Sequence, residues 1–163
     1  MLLKARQALK EYFGYESFRT HQETLIEQVL AGRDVLGVMP TGAGKSLVYQ
    51  IPALVIEGLT LVIAPLISLM KDQVDAINQA GIEAACLNSS LTPAQQAALY
   101  SHAHTGCYRL LYVAPERLDD PPFLELCTKI PVSLVGGRRS SLCFAVGERF
   151  PSELRGYRRF CRH

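Results

Sequence analysis

Met39-Pro40-Thr41-Gly42-Ala43-Gly44-Lys45-Ser46 stands between a short apolar run, Asp34 to Val38, and a helical pattern, Leu47 to Ile56. Strand, glycine turn and helix in that order form an anion site, because glycines let backbone N–H groups curl around phosphate oxygens at the positive end of the helix. Lys45 is placed to reach the β- and γ-phosphates, and Ser46 to offer a hydroxyl to Mg²⁺. Thr41, Gly42, Ala43 and Gly44 supply the cradle. The strict pattern asks for glycine where this chain has Met39.

Working outward, Thr20 followed by Glu23 has capping-box spacing, and Leu25, Ile26, Val29 and Leu30 form an apolar stripe that Gly32 ends. Beyond the loop come a second apolar run from Leu59 to Ala64, a helix from Ser68 to Ala80, and a strand from Ile82 to Leu87. Thr92-Pro93 opens another helix, and Tyr108 to Val113 and Val132 to Val135 complete five strands around a short helix at Phe123 to Thr128. Such alternation predicts an α/β fold, a parallel sheet with helices on both faces.

The chain has 163 residues, 48% hydrophobic and 20% charged, with net charge +2, which excludes a disordered polyelectrolyte. Its most apolar stretch, Leu59 to Met70, is interrupted by Pro65 and falls short of the ~18 residues a membrane helix needs. No apolar leader precedes Lys4, Arg6, Lys10 and Glu11, so a cytoplasmic location and no membrane partner are expected. Cys86, Cys107, Cys127, Cys143 and Cys161 form no CxxC pair, which predicts buried free thiols and no zinc.

Charge is uneven. Of 17 basic and 15 acidic side chains, residues 1–135 hold 10 and 13, and residues 136–163 hold the other 7, all Arg, and 2, both Glu. That tail admits a second reading, a non-catalytic nucleic-acid-binding arm. A third is a small-molecule phosphotransferase, since a glycine loop on a parallel sheet also serves nucleotide kinases.

Met39 to Ser46 and its flanks resemble the RecQ family of superfamily 2 DNA helicases. Phe13-Gly14-Tyr15-Glu16-Ser17-Phe18-Arg19-Thr20-His21-Gln22 is similar to the family's adenine-recognition segment. The resemblance implies that Tyr15 stacks on the base and that Arg19 and Gln22 orient it. Gln can pair with adenine's N6 and N7 edge. Ala64 to Val74 resembles the family's motif Ia, Tyr112 to Leu118 its motif Ib, and Leu87-Asn88-Ser89-Ser90 a further family segment. Loops at the carboxyl ends of parallel strands form the ligand face, and Ser68, Lys71, Asn88 and Arg117 are the expected DNA contacts. The family implies a RecA-like lobe, ATP and Mg²⁺ as cofactors, DNA as partner, and 3′ to 5′ unwinding in repair and recombination.

The family pattern breaks after Val135. An Asp-Glu-Ala-His segment is expected there to hold Mg²⁺ and orient water, yet Gly136-Gly137-Arg138-Arg139-Ser140-Ser141 follows, and no Asp or Glu lies between Lys129 and Gly147. Codons for Gly136 through Leu154 can be chosen so that dropping one base yields Ala-Val-Asp-Glu-Ala-His and the family's next residues. The gene, or the reading of it, is therefore expected to carry a frameshift near Val135. Residues 1–135 then form an incomplete first ATP-binding lobe, and residues 136–163 an out-of-frame, poorly ordered basic tail. Lys45 is the catalytic residue left without its acidic partners, and the polypeptide is expected to be inactive alone.

Overall fold

A computed structural model describes residues 1–40, 42–139 and 142–146. In chain order the elements are α1 (Leu2–Phe13), α2 (Thr20–Leu30), β1 (Val35–Val38), α3 (Leu47–Val55), β2 (Leu59–Ile63), α4 (Ile67–Gln79) and β3 (Ala84–Leu87). α5 (Pro93–His104), β4 (Leu110–Val113), a 3-10 turn (Pro115–Arg117), α6 (Pro121–Lys129), β5 (Val132–Arg139) and β6 (Leu142–Val146) follow.

The sheet runs β1-β6-β5-β2-β4-β3. β2 pairs in parallel with β4 and β5, and β3 with β4. β6 is antiparallel to both β5 and β1, so β1 points the same way as the parallel set. The expected five-strand sheet thus gains a sixth strand, wedged between β1 and β5. β5 also runs on past Val135, because ladder hydrogen bonds join backbones whatever the side chains. The remainder of the expected tail, residues 147–163, lies outside the described residues, as do Thr41 and residues 140–141.

Alternation along the central strands divides the core into two layers. Val62, Leu110, Tyr112 and Leu134 face Val48, Tyr49, Met70, Val74 and Ile77 of α3 and α4. Leu61, Ile63, Leu111, Val113 and Val135 face Leu99, Phe123 and Leu126 of α5 and α6. Helices therefore cover both faces, and all five residues of β2 are buried, as a central parallel strand requires. β1 is covered on one face only: Leu36 and Val38 are 61% and 74% exposed. Close packing of α3 on β5 depends on Gly136, where a Cβ would stand 2.7 Å from Tyr49 Cβ.

A helix absent from the sequence reading, α1, packs Ala5, Ala8 and Leu9 with Phe18, Ile26, Leu47 and Ile51 in a third cluster. It braces α2 and α3, the two helices that carry the site described below. The start of α2 also differs from expectation. Arg19 is extended at the N-cap, so the third helical residue is Gln22, whose Oε1 accepts the Arg19 N–H at 2.9 Å. Glu23 instead pairs with Arg6.

Cysteine burial divides the expected buried thiols. Cys127 is buried, Cys86 half-buried and Cys107 exposed in the turn after α5, where Thr105 Oγ1 lies 2.9 Å from its Sγ. Burial pushes the Cys127 thiol up to about 12. Since the thiolate is the nucleophile, iodoacetamide at about pH 8 is expected to alkylate Cys107 and spare Cys127 while the chain is folded. Peptide mapping by mass spectrometry checks this, and fast Cys127 labelling would contradict the packing of α6.

Candidate functional site

The five strands that run in parallel direction end at one edge of the sheet, and the loop after β1 folds there on its own turn bonds. Ala43 N donates to Pro40 O at 3.2 Å and Leu47 N to Gly44 O at 3.1 Å. Gly42 and Gly44 take φ of 83° and 73°, the left-handed region that lets consecutive N–H groups turn inward. Lys45 is 3% exposed, and its Nζ donates to Met39 O at 3.0 Å and Pro40 O at 2.8 Å. Ser46 caps α3 in helical conformation with its hydroxyl making no cap bond, and its carbonyl accepts the Gln50 N–H at 3.0 Å.

α2 locks onto this loop from the side. Arg19 Nη1 donates to Gly42 O at 2.9 Å. Gln22, 3% exposed, donates through Nε2 to Ala43 O at 2.9 Å and Gly44 O at 3.2 Å. With Oε1 on the Arg19 N–H, the Gln22 amide has all its donors and one acceptor engaged. Gly44 cannot carry a side chain here, because a Cβ would lie 2.2 Å from Gln22 Nε2. Tyr15, Arg19, Gln22, Gly42 and Gly44 line one cleft of about 140 Å³. That is smaller than the ~300 Å³ of a pocket enclosing a drug-sized ligand, and suits a planar ring at its mouth. The three residues expected to recognise a base are thus brought to the loop expected to hold phosphate.

The other expected residues divide into two pairs. Ser68 and Lys71 are exposed on the first turns of α4, just past the end of β2. Asn88 and Arg117 turn inward. Asn88 is 2% exposed, and its Oδ1 accepts from Ser90 N at 2.9 Å and Ser90 Oγ at 2.7 Å. Arg117 Nη2 donates to Asn88 O at 3.2 Å and Nη1 pairs with Asp120 at 2.8 Å, while its buried Nε has no partner among the described residues. The Asn88 amide thus shapes the loop after β3, and Arg117 ties that loop to the one after β4.

One buried polar group went unread in the sequence. Gln50 Nε2 donates both to Tyr112 OH at 3.1 Å and to Gln73 Oε1 at 3.2 Å, tying α3 to β4 and α4. The available signal was a lone amide within the apolar run Leu47 to Ala53.

A divalent cation finds few donors here. Ser46 offers one hydroxyl, no carboxylate joins it from β5, and no group of three or more His, Cys, Asp or Glu among the described residues could hold a metal. Mg²⁺ favours one or two carboxylates beside substrate phosphates, so the residues present do not complete its site.

Comparison with known proteins gives consistent findings. A family model described as DEAD/DEAH box helicase matches residues 19–133. The ATP-dependent DNA helicase RecQ of Pasteurella multocida (strain Pm70) is 52% identical over 131 residues, which is 80% of this chain and 21% of that protein. RecQ of Bacillus subtilis (strain 168) is 48% identical over 136 residues, 83% of this chain and 23% of that protein. The chain spans about a fifth of the length of these curated relatives. Among solved structures, the DUF1998 helicase MrfA bound to DNA superposes with TM-score 0.65 at 19% identity, covering 81% of this chain and 19% of that one. A hypothetical ATP-dependent RNA helicase from Sulfolobus tokodaii gives 0.62 at 23%, covering 83% and 41%. At those identities the structures share the fold. No helix among the described residues is long and apolar enough to cross a membrane.

Proposed function

Because the chain belongs to the DEAD/DEAH box helicase family, we propose that it is the nucleotide-binding first part of a RecQ-type ATP-dependent DNA helicase, a 3′ to 5′ translocase of repair and recombination. The polypeptide by itself binds ATP without unwinding DNA. The observation that carries this reading is the lock between α2 and the loop, in which Arg19 and Gln22 hold the carbonyls of Gly42, Ala43 and Gly44.

In the proposed mode the adenine lies in the cleft against Tyr15, and the Gln22 amide exchanges Ala43 O and Gly44 O for the adenine's N6 and N7 edge. The phosphates run along the N–H groups of residues 42–46, and the Lys45 ammonium exchanges Met39 O and Pro40 O for phosphate oxygens. Ser46 is where the family's Mg²⁺ would be held. Among the described residues β5 brings no acid to it, so no hydrolytic step follows from these residues. Ser68 and Lys71 donate to a DNA backbone along the same edge, with Asn88 and Arg117 fixing the neighbouring loops.

Titration with a fluorescent ATP analogue tests the reading. Saturable binding competed by ATP better than by GTP is expected. Gln22→Ala should reduce the preference for ATP by ~5- to ~140-fold, the equivalent of the ~1–3 kcal/mol that a bidentate base contact contributes. Binding with no base preference in the wild-type chain would sink the assignment of Tyr15, Arg19 and Gln22.

A further inference from the structure

Burying an amide is costly unless its donors are met, and a methionine would fill much the same space without that cost. Gln50 is nonetheless 5% exposed within the apolar run of α3. Both hydrogens of its Nε2 are engaged, one by Tyr112 OH at 3.1 Å and one by Gln73 Oε1 at 3.2 Å. Among the other buried polar side chains of the described residues, Gln22 and Lys45 serve the loop and Asn88 its own turn. Gln50 instead joins three elements, and each leads to a proposed contact. The Gln50 N–H donates to Ser46 O at 3.0 Å and the Val48 N–H to Lys45 O at 3.2 Å, so a shift of the loop carries the first turn of α3 with it. Gln73 lies on the same helix as Ser68 and Lys71. Tyr112 belongs to β4, and the turn that follows carries Arg117, bonded to Asn88 O at 3.2 Å. A buried amide that loses one partner is worse off than one fully bonded, so α3, α4 and β4 shift together or give up the tie.

We propose that Gln50 is a positioning residue that couples the two ligands, so that nucleotide on the Lys45 loop and a single strand of DNA along Ser68 and Lys71 each tighten the binding of the other. The inference rests on the reading that the loop holds nucleotide and that α4 meets DNA, and it deepens that reading by naming the link between them. Coupling is positive because either ligand orders the same three-way tie, and the second to arrive finds it already ordered. It is also reciprocal, the factor by which DNA improves nucleotide affinity being the factor by which nucleotide improves DNA affinity. Gln50 itself touches neither ligand.

Titration of the full chain with the fluorescent ATP analogue, with and without a saturating single-stranded oligothymidylate, tests it. In the wild-type chain the oligonucleotide is expected to tighten nucleotide binding by about fivefold or more. Gln50→Met should leave each ligand's affinity alone within about twofold and bring the coupling factor close to one, whereas a merely structural role would lower stability and leave that factor unchanged. Gln73→Met, which removes one of the two bonds, should reduce the factor and serves where Gln50→Met fails to fold. Nucleotide binding that ignores the oligonucleotide or is weakened by it, or a folded Gln50→Met or Gln73→Met variant coupled like wild type, overturns the inference and leaves the nucleotide reading standing. A wild-type chain that binds no nucleotide, or binding undiminished in Lys45→Ala, overturns both.

Discussion

Lys45→Ala is expected to weaken nucleotide binding by roughly 100-fold or more while the fold stands. Hydrogen bonds to charged groups contribute ~1.5–3 kcal/mol each, and the ammonium offers three donors to a polyphosphate. The stability effect is smaller because two terms oppose. The substitution removes the bonds to Met39 O and Pro40 O, but it also removes a nearly buried charge whose desolvation is costly. A net change of about 1 kcal/mol is expected, since the lost bonds and the relieved desolvation are of similar size. Analogue titration paired with urea unfolding separates the effects. Unfolding of the variant under native conditions would mark Lys45 as a strut for the loop, and its lost binding would then say nothing about phosphate.

The strand, glycine loop and helix proposed to hold nucleotide were legible because they are local. Strand, glycine loop and helix follow one another in sequence, and the loop's own turn bonds join residues within four positions. What the sequence concealed involves distant partners or a choice between neighbours. Glu23 and Gln22 both suit a capping box, and the tie is broken by α1, whose Arg6 takes Glu23 and leaves Gln22 to cap the helix and hold the loop. α1 itself was signalled by Ala5, Ala8 and Leu9 at helical spacing. Asn88 and Arg117 read as free donors, yet the Asn88 amide is taken up by Cys86 and Ser90 two residues away, and Arg117 reaches Asn88 O across a gap in sequence that no local pattern reveals. The place of β6 has a plain cause as well. Residues 140–141 leave room only for an antiparallel return, since a parallel crossover needs a dozen or more residues.

The second large effect is expected at Gly44, where conformation and contact act together. Its φ of 73° strains any L side chain, at a cost of about 1 kcal/mol. A Cβ there would also stand 2.2 Å from Gln22 Nε2, too close to survive. Gln22 cannot simply swing away, because its amide holds the Arg19 N–H, Ala43 O and Gly44 O, and freeing buried groups costs ~1–3 kcal/mol. Gly44→Ala should therefore lower stability by ~2–4 kcal/mol and weaken nucleotide binding by tenfold or more, because the loop and the base-recognising residues move apart. Gly106 supplies the control: its φ is also 73°, with nothing within 4 Å of a Cβ. Gly106→Ala should cost only the ~1 kcal/mol of strain. Gln22→Ala should cost ~1–3 kcal/mol alone, yet in combination with Gly44→Ala the total should fall short of the sum by ~1 kcal/mol or more, since the collision is then gone. Urea unfolding of the two single variants and the double variant measures that difference. Strict additivity, or equal losses at Gly44 and Gly106, would mean that α2 does not rest on the loop.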